Sequence, residues 1–136
     1  MEQKTIDYER FSVLVIEDQP FVRRTIMQIL MQIGFRRIAE ADNGETGMQE
    51  CIRTTPDLIV CDIDMKPVSG LQFLERLRGA GEAVDSRTPV VFLTNHTESD
   101  IVKRAMALGV NAFVVKPPSM SALKERVDRL LPALTP

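Results

Sequence analysis

The stretch Pro56-Asp57-Leu58-Ile59-Val60-Cys61-Asp62 decides the fold of this chain. Four consecutive apolar residues stand between two acids, with no polar residue alternating among them. An unbroken apolar run of strand length belongs in a sheet covered on both faces, because neither set of alternate side chains meets water. Two further runs share this character: Ser12-Val13-Leu14-Val15-Ile16 upstream and Pro89-Val90-Val91-Phe92-Leu93 downstream.

Longer helical segments lie between and beyond these runs. Pro20 to Ile33 reads as a helix, with Pro20 suited to its first turn and Gly34 to its end. Arg36 to Glu40 is a short strand candidate. Asn43 can cap a helix running to about Arg53, and Asp57 to Cys61 is the second strongly apolar strand. A loop holding Pro67 and Gly70 leads into a helix from Leu71 to about Gly79, followed by a loop to Arg87. Ser99 or Glu98 opens a helix ending near Gly109. Ala112 to Val115 forms a last strand, and Ser119 caps a last helix that reaches Leu131. Five strands thus alternate with five helices. Helical crossovers make the strands parallel, and right-handed connections leave few topologies. The expected architecture is a doubly wound α/β fold, a (βα)5 three-layer sandwich around a five-stranded parallel sheet. Residues 11–132 form the folded unit, with an N-terminal extension at 1–10 and a tail at 133–136.

Composition narrows the function. The chain has 136 residues, 44% of them hydrophobic and 26% charged, enough to bury a core without disulfides or a structural metal. Seventeen basic and nineteen acidic residues give a net charge of −2. That balance provides no basic footprint for nucleic acid and no polybasic membrane signal. No apolar run approaches a membrane span, and the charged N-terminus does not read as a signal peptide, so a cytoplasmic protein is expected. Cys51 and Cys61 lie in apolar settings without metal-ligand spacing and read as buried, reduced thiols.

In open parallel sheets, ligands bind at the carboxyl ends of the strands. Glu17 and Asp18 follow the first strand, Asp62 the third, Thr94 the fourth, and Lys116 with Pro117 the fifth. Three carboxylates brought to one edge repel each other, and a divalent cation resolves the conflict; hard oxygen ligands suit Mg²⁺. A carboxylate facing a phosphoryl donor also needs charge neutralisation, which the metal and Lys116 supply, while Thr94 donates a hydrogen bond. Carboxylates act as phosphoryl nucleophiles by forming an aspartyl-phosphate.

Four motifs in order carry a resemblance: Val13-Leu14-Val15-Ile16-Glu17-Asp18, Pro56 to Asp62, Phe92-Leu93-Thr94 and Val114-Val115-Lys116-Pro117. Together they resemble the receiver domain of two-component response regulators, the CheY-like family, over roughly Ser12 to Leu131. The resemblance implies the flavodoxin-like strand order 2-1-3-4-5. It implies that Asp62 is the phosphoacceptor, phosphorylated by a sensor histidine kinase or a histidine phosphotransfer protein with Mg²⁺. Asp18 and Asp62 would bind the metal directly, Glu17 through water, and Asp64 through its backbone carbonyl. Thr94 would move toward the phosphoryl group, Lys116 would pair with it, and Phe113 would follow as the aromatic switch, altering the last helix–strand–helix face for a downstream target protein. A stand-alone signalling receiver is expected, not an enzyme.

The chain departs from the family pattern around Asp62. Lys66 stands where proline is usual, with Pro67 one place later, though the spacing to Gly70 is kept. Asp64 and His96 flank the phosphoryl position, where variation alters phosphoryl lifetime; His96 could bond Asp64 or face water. Asn95 stands where a small residue is common, and Pro118 where an aromatic is frequent. On the first helix, Met27 and Met31 read either as part of a wide buried face or, with Arg23, as a docking patch for the kinase or phosphotransfer domain. The alternative to a receiver is a small aspartyl-nucleophile phosphohydrolase, because Asp64 lies two residues after Asp62, the spacing of a second catalytic acid in such enzymes.

Overall fold

A computed structural model describes residues 5–81, 84–95 and 99–132. A five-stranded parallel sheet forms its centre: β1 (Ser12–Ile16), β2 (Arg37–Ala41), β3 (Leu58–Asp62), β4 (Val90–Thr94) and β5 (Ala112–Val115). The spatial order is β2-β1-β3-β4-β5, as the resemblance implied. Helices α1 (Pro20–Ile33), α2 (Gly44–Thr54), α3 (Gly70–Arg78) and α4 (Ser99–Ala107) connect the strands in turn, and α5 (Met120–Leu130) follows β5.

Alternate residues of each central strand feed two separate cores. Val13, Val15, Leu58, Val60, Val91 and Leu93 pack with Ile26 and Leu30 of α1 and with Leu123 and Val127 of α5. Leu14, Ile16, Ile59, Cys61, Val90 and Phe92 face the other way, onto Cys51 of α2, Phe73, Leu74 and Leu77 of α3, and Ala105 of α4. This is why the three runs are apolar without alternation: both sides of the pleat are interior.

The helix ends follow local chemistry. Asn43 accepts from the N–H groups of Glu45 and Thr46, while the Thr46 hydroxyl accepts from the Asn43 N–H, a complete capping box. Ser69 caps α3 in the same reciprocal way with Gln72, and Ser119 caps α5 through the Ala122 N–H. Gly34 ends α1 at φ 135°, a conformation that favours glycine.

The strands are displaced from expectation by one residue at three places. β2 runs from Arg37 to Ala41, β3 begins at Leu58, and β4 at Val90. Asp62 and Thr94 are therefore the last residues of their strands rather than the first beyond them, and α3 begins at Gly70. The expected tail, His96 and Glu98 fall on 133–136 and 96–98, outside the described residues. The described part of the N-terminal extension contains a 3-10 turn at Tyr8–Arg10. Ile6, Tyr8 and Phe11 pack against the α1–α5 core, and Tyr8 donates a hydrogen bond to Asp128 of α5.

Candidate functional site

The carboxyl ends of β1, β3, β4 and β5 meet at one edge of the sheet. β1 delivers Glu17 and Asp18, β3 Asp62, β4 Thr94 and β5 Lys116. Parallel pairing sets the alignment: Ile16 sits opposite Cys61, Asp62 opposite Leu93 and Thr94 opposite Val115. The acids therefore arrive within one residue of each other in height along the sheet.

Lys116 Nζ lies 3.0 Å from Asp62 Oδ2 and 3.3 Å from Glu17 Oε2. Glu17 is fully buried, Asp62 is 4% exposed and Thr94 3%. Glu17 also accepts a hydrogen bond from the Gln19 N–H at 3.3 Å. One carboxylate oxygen from each of Glu17, Asp18 and Asp62 lies within 4.8 Å of the others, a set that could hold a metal ion. Its all-oxygen, hard-donor character fits a small divalent cation. Asp18 is exposed and Glu17 buried, so the set opens toward solvent on one side.

The electrostatics record the crowding. Burial and the neighbouring Asp62 charge push Glu17 up to about 7, against the opposing pull of Lys116. Burial would lower Lys116, but hydrogen bonding and charge from Asp62 and Glu17 outweigh it and hold its pKa above the usual value. Burial pushes the Cys51 thiol up to about 12 and Cys61 well above its ordinary value, so both stay protonated and unreactive.

The loop after β3 wraps over this edge. The Asp64 N–H donates to Asp62 Oδ1 at 3.3 Å. Gly70 turns the loop into α3 with its N–H bonded to the Ile63 carbonyl at 2.8 Å, and an added Cβ would stand 2.5 Å from the Asp62 carbonyl oxygen. The required glycine thus holds the backbone against the strand end whose side chain is at issue. Asp18, Asp64, Met65, Lys66 and Ser69 line a cleft of about 290 Å³ at the mouth. Lys66 and Asn95 are exposed.

Thr94 and Lys116 are tied through backbone, the Lys116 N–H donating to the Thr94 carbonyl at 2.9 Å. Phe113 is half-buried, its ring 6.3 Å from that of Phe92, and its carbonyl accepts from Arg126 Nε of α5 at 3.2 Å. Of the two methionines on α1, Met27 packs against the core and Met31 is 48% exposed. Arg23 is not a free surface charge: its side chain is 16% exposed and bonds the Glu17 carbonyl and Glu40.

The sequence pattern that defines the response regulator receiver domain matches residues 13–128. This chain belongs to the response regulator receiver family. The receiver is 32% identical to the chemotaxis protein CheY of Pseudomonas aeruginosa over 118 residues, covering 87% of this chain and 94% of that protein. It is 28% identical to chemotaxis protein CheY-3 of Vibrio cholerae over 126 residues, 93% of this chain and 95% of the relative. The signal receiver domain of a signal transduction histidine kinase from Syntrophus aciditrophicus matches with a TM-score of 0.79 and 28% identity, covering 89% of each chain. Chemotaxis protein CheY4 of Vibrio cholerae has the same fold, with a TM-score of 0.81 at 23% identity over 89% of this receiver and 98% of that chain. These relatives make the receiver a two-component signalling domain. No helix among the described residues is long and apolar enough to cross a membrane.

Proposed function

We propose that this receiver accepts a phosphoryl group on Asp62 from a phosphohistidine of a sensor kinase or phosphotransfer protein, in the cytoplasm. The observation that carries the reading is the Lys116 ammonium, 3.0 Å from the Asp62 carboxylate within a buried, acid-rich strand edge. A Mg²⁺ ion held by Asp18, Asp62 and the Asp64 carbonyl, with Glu17 acting through water, would neutralise charge on the phosphoryl oxygens. An Asp62 carboxylate oxygen forms the new bond to phosphorus. The donor's N–P bond breaks, and its electron pair returns to the imidazole nitrogen.

This chain's residues do the rest. Lys116 supplies positive charge to a phosphoryl oxygen without a proton leaving it, because its pKa stays high. Thr94 donates its hydroxyl to a second oxygen. Phe113 follows that movement, and its backbone link to Arg126 carries the change to α5, altering affinity for a downstream protein. The functional unit is residues 11–132.

Intact mass after incubation with Mg²⁺ and a small acyl phosphate tests the reading. One phosphoryl adduct is expected, and Asp62→Asn should show none. Failure of the wild-type protein to take up phosphate from both an acyl phosphate and a phosphohistidine donor would overturn it. Continuous release of phosphate from a phosphomonoester, in place of stoichiometric labelling, would point to a hydrolase.

A further inference from the structure

Glu17 lies one residue beyond the end of β1, where the strand ladder no longer serves both of its backbone groups. Its N–H donates to the Ala41 carbonyl of β2 at 3.0 Å. Its carbonyl has left the sheet and would be a buried acceptor without a partner, a costly arrangement. Arg23 provides the donor. Its backbone N–H bonds the Gln19 carbonyl at 2.9 Å, placing it one turn into α1. Helical side chains lean toward the helix N-terminus, so the guanidinium folds back over that first turn. Nη1 reaches the Glu17 carbonyl at 2.7 Å, and Nε binds Glu40 Oε1 at 2.8 Å.

We propose that Arg23 is a positioning residue for the cation site, holding the Glu17–Asp18 peptide so that both carboxylates face Asp62. The inference rests on the reading of the Glu17, Asp18 and Asp62 cluster as a Mg²⁺ site. The plane of that peptide sets the direction in which the Asp18 Cα–Cβ bond leaves the chain, and Asp18 is exposed. The Ala41 bond fixes one side of Glu17, and the guanidinium fixes the other. Glu40 balances the charge of Arg23 and presets its orientation. A planar two-ended donor suits this task; a lysine ammonium would reach one partner as a point charge.

The sign of the effect separates positioning from charge. Removing a cation near a cation site, by Coulomb's law alone, tightens Mg²⁺ binding. Removing a group that aims the ligands weakens it, by about 10-fold or more for an outer-shell partner. Mg²⁺ affinity of the unphosphorylated protein, measured by calorimetric titration, therefore decides. Arg23→Met is expected to bind Mg²⁺ about 10-fold more weakly than wild type, and Arg23→Lys to fall between. Arg24→Met removes the same charge from the exposed neighbouring position and should bind as wild type does or slightly tighter. Equal or tighter Mg²⁺ binding by Arg23→Met overturns the inference. Thermal unfolding without metal establishes that each variant is folded, and if Arg23→Met is not, the Arg23→Lys affinity decides by the same criterion. A wild-type protein that binds no Mg²⁺ overturns the underlying reading instead, a result distinct from any difference among variants.

Discussion

Asp57 and Asp62 stand at opposite ends of β3, separated by four apolar residues, and lead different lives. Asp57 is exposed and acts on backbone: its carboxylate accepts from the Ser12 N–H at 2.8 Å and the Ser12 hydroxyl at 3.2 Å, clipping β3 to β1. Asp62 is buried, with Lys116 its ion-pair partner from 54 residues away and Glu17 close by. The same side chain is satisfied just before the strand begins and placed in conflict at its last residue. In a parallel sheet, the carboxyl ends gather side chains from successive crossovers, whereas at the amino end here one carboxylate simply joins two adjacent strands. Crowding of like charge at one edge is what leaves there a set of carboxylates that could hold a metal ion.

The contrast is sharpest where Asp62 is removed. Asp62→Asn should abolish the phosphoryl adduct in intact mass, whereas Asp57→Asn should be labelled at the wild-type rate; equal loss in both would erase the distinction. Next is the counter-charge. Lys116→Met leaves two buried carboxylates without their cation, so the Mg²⁺-free protein should lose about 3 kcal/mol at pH 8 in urea denaturation. Added Mg²⁺ should recover part of that loss.

A pH dependence follows from Glu17, whose folded pKa is raised from 4.5 to about 7. An acid with a raised folded pKa contributes stability that is fully present below the unfolded value and lost as pH rises through the folded one. The Mg²⁺-free protein should therefore melt at a lower temperature at pH 8 than at pH 5.5, and Glu17→Gln should flatten that part of the profile. An identical slope in the variant would show that the carboxylate conflict lies elsewhere. The smallest effect is at the other end of the strand: Asp57→Ala should cost about 1 kcal/mol, the worth of the clip to Ser12, without altering phosphorylation.

Much of this was readable from residue order. Unbroken apolar runs at Ser12–Ile16 and Leu58–Cys61 announce two-sided burial, and the two cores divide Val13 and Val15 from Leu14 and Ile16 as a pleated strand must. Asn43 and Ser119 announce their helices because capping is local chemistry. The one-residue displacements at β2, β3 and β4 were not readable, because the ends of a parallel strand depend on its neighbours' register. Arg23 was misleading in sequence: a basic residue on an amphipathic helix reads as surface, and only the packing of α1 over β1 brings a carbonyl beneath it. Tyr8 was silent for a similar reason, since its partner Asp128 lies at the far end of the chain.

The amino-acid sequence by itself determined the α/β class, the alternation of five strands with five helices and the residue types that each strand end presents. Those depend on periodicity and on chain direction, which are properties of neighbouring residues. Tertiary structure alone decided that Glu17 is fully buried while Asp18 is exposed, that one ammonium serves both Asp62 and Glu17, and that Arg23 holds the backbone between the two acids. Burial and ion pairing are set by which distant segments share a volume, and no local pattern encodes that.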